Sequence, residues 1–309
     1  MIKKISTLGM SHEEWLQHRR NSIGGSDAAT IVRLNPWSSP YELWADKLAR
    51  IPPKEENEAM RIGHDLEEYV AKRFTEKTGK RVRRENSIIR NTLLPYAHAN
   101  VDRMVIGEKA GLECKTTSVL NLRKFRDGDY PANYYVQCQH YMMVTGYEKW
   151  YLAVLVLGRE FLTFEIVRNS EDIDALAEAE KEFWEYVRKK EAPPVDGSAS
   201  CADTISKIYV GDPDLGSVDL TAFQASLRAR QKLSSQIREL EHERSRYDNE
   251  LKEYMQNSET GCCEGFRVSW KQQNRKTFDS KAFSAAHPEI DLSEYYKIST
   301  SRIFKIKEE

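Results

Sequence analysis

Between Glu58 and Thr78, Leu66, Val70 and Phe74 recur at helical spacing and Gly79 follows as a stop, which predicts a long amphipathic helix. Upstream, Ser11 with Glu14 three positions on has the form of a capping box and predicts a helix over residues 11–20. Ile23-Gly24-Gly25-Ser26-Asp27 then runs into Ala28, Ala29, Ile31 and Val32, a tight turn feeding a short apolar helix that breaks at Asn35-Pro36-Trp37. Pro40 opens a further helix with Tyr41, Leu43, Trp44 and Leu48 on its apolar side. After Gly79 the period changes: residues 82–89, 96–106 and 112–116 read as strands. Residues 133–145 return to helical spacing, 150–157 and 161–167 form a hairpin around Gly158-Arg159, and 172–190 is a charged amphipathic helix. This mixture predicts an α/β fold.

Near Pro193-Pro194 the texture changes. The small polar stretch 196–200 predicts a linker, with a domain of residues 1–197 before it and an extension, 198–309, after it. From Leu220 to Tyr254 apolar residues fall close to a heptad seam with charges between them, which suits a coiled coil between subunits or a helical hairpin packed on its own core. The tail has strand-like pieces at 266–270 and 302–306. Its basic and aromatic residues, among them Arg267, Trp270, Lys271 and Arg302, suit contacts to DNA or a protein partner as well as a solvated face.

The 309 residues, 40% of them hydrophobic, suffice for a sizeable core and an appendage. Lys and Arg number 47 against 48 Asp and Glu, so any nucleic-acid partner must meet locally concentrated positive charge. Five cysteines, without a C-x-x-C pair, argue against a zinc ribbon and a disulfide framework. The start lacks an apolar signal core, and the longest aliphatic-aromatic run, 150–157, is far short of the roughly 20 residues that span a bilayer. The expectation is a soluble, cytoplasmic protein.

The residues with most chemical content are Asn100-Val101-Asp102 and Gly111-Leu112-Glu113-Cys114-Lys115. Ten residues between the two carboxylates leave room for a turn between adjacent strands. Glu113 and Lys115, two apart on one strand, share a face. Two carboxylates beside a lysine suit phosphodiester hydrolysis. The carboxylates hold Mg²⁺ through hard oxygen ligands, the cation polarises the phosphate and acidifies a water, and the lysine positions or deprotonates that water and offsets charge. Spacing alone fits an ordinary solvent-facing strand as well.

The pattern resembles the PD-(D/E)xK nuclease motif, with Val101 where that superfamily has proline. Gln137-Cys138-Gln139-His140-Tyr141 resembles the Gln-x-x-x-Tyr element of its RecB-like members. Trp15-Leu16-Gln17-His18-Arg19, the Ile23–Ala29 stretch, and Asn35-Pro36-Trp37 with Tyr41 and Trp44 resemble the N-terminal signature of YqaJ-type viral recombinase nucleases, a family that includes lambda-type exonuclease. The resemblance covers about residues 10–197. It implies a restriction-endonuclease-like core, a mixed central sheet flanked by helices with its metal site at a sheet edge, followed by the helical or coiled-coil extension and small strand-containing tail.

The resemblance also implies roles. Asp102, Glu113 and the backbone carbonyl of Cys114 would hold Mg²⁺, with Mn²⁺ suited to the same oxygen ligands. Glu67, in Gly63-His64-Asp65-Leu66-Glu67, would be an auxiliary acid near the metal, and Lys115 and Gln137 would act in catalysis. Arg19 and Ser26 would grip a terminal 5′-phosphate: arginine offers a bidentate fork and Ser26 opens a helix whose free N–H groups favour an anion, although a plain helix cap explains Ser26 too. Arg123, Lys124 and Arg126 are candidates for backbone phosphates or a solvated loop. His64, His98 and His140 read as structural groups. With only Cys114 and Cys138 in the core, no iron–sulfur cluster is expected. The implied activity is 5′-to-3′ digestion of linear duplex DNA, leaving a 3′ single strand for a RecT-type annealing protein, by a homotrimer that encircles DNA. The alternatives are an endonuclease, which has no use for an end grip, and a non-catalytic DNA-binding scaffold, which has no reason to keep Asp102, Glu113 and Lys115 together.

Overall fold

A computed structural model describes the chain except residues 213, 298–301, 308 and 309. The described chain divides into two compact units, Met1–Val210 and Gly211–Glu309. In the first, α1 (His12–Arg20), α2 (Gly25–Ile31), α3 (Pro40–Lys47) and α4 (Glu58–Thr78) follow a strand, β1 (Ile2–Ser6), that the hydrophobic pattern did not reveal. The sequence-predicted capping box is present: Glu14 N–H donates to Ser11 Oγ at 3.2 Å and Ser11 N–H to Glu14 Oε2 at 2.8 Å. Gly79 closes α4 in the left-handed conformation, φ 73°, where lack of a Cβ removes the steric penalty.

The predicted strand over 82–89 is broken at residues 85–86 into β2 (Val82–Arg84) and β3 (Ser87–Asn91), which belong to different sheets. β3 pairs with β1 and with β4 (His98–Ala99) in an antiparallel three-stranded sheet. β2 is the edge of a five-stranded sheet of order β2, β5 (Arg103–Val105), β6 (Ala110–Thr117), β7 (Lys149–Val156), β8 (Glu160–Val167). β5–β6 and β7–β8 are antiparallel, while β6 and β7 are parallel, with Glu113 beside Leu152. A parallel pair needs a crossover, and the chain supplies it as a 3-10 segment (Val119–Gly128) followed by α5 (Ala132–Thr145).

Alternation then assigns the faces. Leu112, Tyr151 and Ala153 meet Val70, Ala71 and Phe74 of α4, while Trp150, Leu152 and Val154 pack with Cys138, Tyr141 and Met142 of α5. Covered on both faces, β7 is buried from Trp150 to Val154. Gly111 lies beside Trp150, where a Cβ would come within 2.0 Å of the indole ring. α6 (Ser170–Lys189) and α7 (Ala199–Ile208) complete the unit, Phe183 and Cys201 joining Tyr41 and Trp44 of α3 in a second core cluster.

Two histidines brace this layer as structural groups. His140 Nδ1 lies 2.6 Å from Glu180 Oε1 and its Nε2 2.8 Å from the His98 carbonyl. Burial would lower the ring's pKa, but Glu180 raises it. His98 Nδ1 lies 2.9 Å from Ser22 Oγ, and burial pushes its pKa down to about 3.

In the second unit, α8 (Gln224–Met255) is a single 32-residue helix. Its seam residues Leu233, Ile237, Leu240 and Tyr247 are exposed. β9 (Thr260–Cys263) and β10 (Phe266–Ser269) form a hairpin, and α9 spans Ser280–Ala286. The predicted strand at 302–306 is irregular instead. Among the described residues, no helix is long and apolar enough to cross a membrane.

A histidine buried in its neutral form destabilises the fold once the unfolded chain can protonate. For His98 the contribution is harmless above the ordinary value of 6.5 and grows as pH falls from there towards about 3. His140, with a raised pKa, has the opposite sign: its stabilisation is lost as pH rises. Comparing His98→Asn with wild type isolates the first effect. Between pH 6.5 and 5 wild type should lose up to about 1.4 kcal/mol per pH unit relative to the variant in chemical denaturation. Parallel pH profiles would refute this burial effect.

Candidate active site

Antiparallel pairing of Arg103 with Leu112 sets Asp102, just before β5, opposite the middle of β6. Asp102 Oδ2 accepts a 2.7 Å hydrogen bond from Cys114 N–H. Glu113 and Lys115 share the α5 face of β6, as their spacing predicts, and Lys115 Nζ lies 2.6 Å from Glu113 Oε1. That oxygen also accepts from Gln137 Nε2 at 2.7 Å, and Gln137 Nε2 lies 2.7 Å from Tyr141 Oη. The Tyr134 ring faces the Lys115 ammonium, 5.2 Å from its centroid. The site lies on the third of five strands, so the expected place at a sheet edge is corrected: β2 and β5 add two strands beyond β6.

The electrostatics are those of crowded negative charge. Burial, then Glu113 and Glu67, push the Asp102 carboxyl well above its ordinary range. Burial would lower Lys115, but Glu113 and Asp102 outweigh it and raise its pKa. Burial, then the Asp102 and Glu113 carboxylates, also push up the Cys114 thiol, which points to the other face of β6, among the residues packed on α4.

Glu67 is not gathered in as a third carboxylate. Arg103, a residue the sequence reading passed over, binds Glu67 through Nη1 and Glu68 through Nη2 at 2.9 Å, and Nη1 also donates to the Asp102 carbonyl at 2.7 Å. Moreover, Glu67 comes from α4, which covers the Cys114 face of β6. Among the described residues no group of three His, Cys, Asp or Glu side chains is arranged to hold a metal ion. Two carboxylates nonetheless fit a hard cation such as Mg²⁺, which commonly takes one or two carboxylates and fills its other positions with water and phosphate oxygens. The fit has a structural sign: Glu113 Oε2 is buried and has no hydrogen-bond partner among the described residues, a costly condition for a carboxylate oxygen.

Arg19 and Ser26 are brought together: Arg19 Nη2 donates to Ser26 Oγ at 3.5 Å. The guanidinium also lies 5.0 Å from the Trp15 ring centroid and 3.7 Å from Asp27 Oδ1. α2, the short helix that carries Ser26, rests on α5, the helix that carries Gln137. A Cβ at Gly25 would come within 2.5 Å of Tyr141 Cε1 and 3.1 Å of Gln137 Cγ, so the residue next to Ser26 touches the glutamine that holds Glu113. Arg123, Lys124 and Arg126 are exposed on the 3-10 segment after β6.

A YqaJ-like viral recombinase domain matches residues 14–148. YqaJ of Bacillus subtilis (strain 168) is 41% identical over 305 residues, covering 97% of this chain and 95% of that protein. The chain belongs to the YqaJ-like viral recombinase family. Its fold is similar to that of the alkaline exonuclease LHK-Exo from Laribacter hongkongensis, with a TM-score of 0.50 and 20% identity over 58% of this chain and 94% of that one. The structure of LHK-Exo in complex with dAMP matches equally, TM-score 0.50, with 21% identity over the same shares of the two chains.

The contact at Gly25 makes a stability prediction. Gly25→Ala should lower the unfolding free energy by about 1–3 kcal/mol, because Tyr141 is fixed in the core and must move. Gly63→Ala, where the added Cβ meets only Thr116 Oγ1 at 3.5 Å, should be neutral or stabilise α4 by about 0.5–1 kcal/mol. Urea denaturation of the two variants checks the contrast, and equal effects would contradict it.

Proposed function

We propose that this protein is a divalent-cation-dependent DNA exonuclease that digests linear duplex DNA from its 5′ ends, 5′ to 3′, and leaves 3′ single strands for recombination by strand annealing. The observation that carries the reading is the contact through Gly25. It supports the reading because Gly25, next to Ser26, packs on the Gln137 that bonds Glu113, and Ser26 in turn meets Arg19, a pair suited to a terminal phosphate. An end grip next to a hydrolytic centre suits an enzyme that works from ends.

In this reading Asp102, Glu113 and the Cys114 carbonyl would hold the cation, and Glu67, bonded to Arg103, would act as an auxiliary acid from the α4 side. When bound, the cation supplies Lewis acidity at the scissile phosphate. Gln137 fixes the Glu113 carboxylate by its 2.7 Å bond. Lys115 offsets negative charge as it accumulates on the phosphate oxygens and orients the attacking water. The Arg19 fork and the Ser26 hydroxyl bind the 5′-phosphate, and Arg123, Lys124 and Arg126 steady the backbone beyond the cut. The machinery lies within residues 1–197. The partners are duplex DNA ends and a RecT-type annealing protein in the cytoplasm, and the assembly is a homotrimer.

Three substrates test the reading with Mg²⁺: linear duplex with 5′-phosphate ends, the same duplex with 5′-hydroxyl ends, and covalently closed circles. The phosphorylated linear DNA should disappear fastest and the circles should stay intact. EDTA should abolish the reaction and Mg²⁺ or Mn²⁺ restore it. Lys115→Ala should lower kcat by about a hundredfold or more. Nicked circles would instead establish an endonuclease, and wild-type turnover by Lys115→Ala would remove the proposed chemistry.

A further inference from the structure

Lys47, the last residue of α3, has a side chain only 1% exposed. Each of its three N–H bonds has an acceptor: the Arg19 carbonyl at 2.6 Å, the Ser22 carbonyl at 2.8 Å and Asp27 Oδ2 at 2.6 Å. The ammonium is therefore fully satisfied. Its acceptors come from the last turn of α1, the connecting turn and the first turn of α2. Asp27 extends the tie, since its Oδ2 also accepts from Gly24 N–H at 2.9 Å and its Oδ1 lies 3.7 Å from Arg19. Burial would raise the Asp27 carboxyl, but Lys47 and then Arg19 outweigh it and hold it well below the ordinary carboxylate range, so the carboxylate stays charged.

The arrangement suits both helix ends, with a cation at the C-terminus of α1 and a carboxylate at the N-terminus of α2. A buried ion pair commonly adds little net stability over apolar groups of the same shape, so its value here lies in geometry. What it ties together is the backbone that carries Arg19 and the turn that carries Ser26, the exposed residue in an otherwise buried stretch from Ser22 to Thr30. α3 is a firm base for the tie, because Tyr41 and Trp44 are buried against Ile23, Phe183 and Cys201.

We propose that Lys47 is a positioning residue for the 5′-phosphate grip: by bonding the Arg19 carbonyl and the Asp27 carboxylate at once, it sets the Arg19 guanidinium and the Ser26 hydroxyl to face one phosphate. The proposal rests on the reading of Arg19 and Ser26 as the end grip. Lys47 touches no substrate, so its removal acts on recognition of the end and leaves the chemistry at Glu113 and Lys115 intact.

The test compares steady-state kinetics on linear duplexes with 5′-phosphate and 5′-hydroxyl ends for wild type, Lys47→Met, the double variant Lys47→Met/Asp27→Asn, and Arg19→Ala as the reference for full loss of the grip. The double variant removes both charges, so it remains informative if the single one fails to fold around an unpaired Asp27. Thermal melting establishes that each variant is folded. The expected result is a KM for phosphorylated ends raised about ten- to a hundredfold, as for a binding group displaced by about an ångström, with kcat and the rate on 5′-hydroxyl ends held. A folded double variant that keeps the wild-type preference overturns the role of Lys47 and leaves the end grip standing. Equal losses on both ends also overturn it and mark Lys47 as a general support of the fold. A wild-type protein that treats the two ends alike removes the end-grip reading itself, and this proposal with it.

Discussion

Glu113 is a carboxylate held at 3% exposure on the middle strand of a covered sheet, and much of the first unit is arranged around its burial. Desolvating a carboxylate costs several kcal/mol even after relaxation. The Lys115 ammonium at 2.6 Å and the Gln137 amide at 2.7 Å offset that cost at one oxygen. Gln137 requires α5 to lie on the Glu113 face of β6, which makes the crossover between β6 and β7 part of the site. Tyr141, one helical turn along, braces Gln137 and leaves room above it only for a glycine, so the position of α2 follows from the same constraint.

Polar groups are buried on both sides of this centre, to different ends. Asp27 and Lys47 join the ends of three helices, and Glu180 with His140 ties α6 to α5 and, through the His98 carbonyl, to β4. Both sets have hydrogen bonds that fix direction as well as proximity, which dispersion contacts in a core do not. Arg103 is different, because it reaches the partly buried Glu67 and the exposed Glu68.

Membership of the YqaJ-like family and a fold similar to that of LHK-Exo join this chain to a wider architecture. Gly25 against Tyr141 sets α2, which carries Ser26, against the helix whose Gln137 bonds Glu113. α8 is a separate matter. Its exposed apolar seam belongs to a unit with its own hairpin and short helix.

Local rules carried far in this chain. The Ser11 capping box, the Gly79 stop, the Pro40 start and the period-two pairing of Glu113 with Lys115 depend on neighbours within a few residues, so they were readable from spacing alone. The mixed α/β class followed from the order of such segments, and the contacts of Glu113 with Lys115 and of Arg19 with Ser26 join residues singled out by motif spacing together with family resemblance. What depended on residues distant in sequence was not readable. β1 is short and lysine-rich and becomes a strand because β3 offers it an edge. The 82–89 stretch divides because its halves pair in different sheets. Glu67 is drawn to Arg103 rather than to Asp102, since α4 covers the opposite face of β6. Lys47 carried no signal as the last residue of an amphipathic helix, because its three acceptors lie 20 to 28 residues earlier in the chain. Spacing constrains what one helix or strand can present; only packing sets which distant group a buried charge must find.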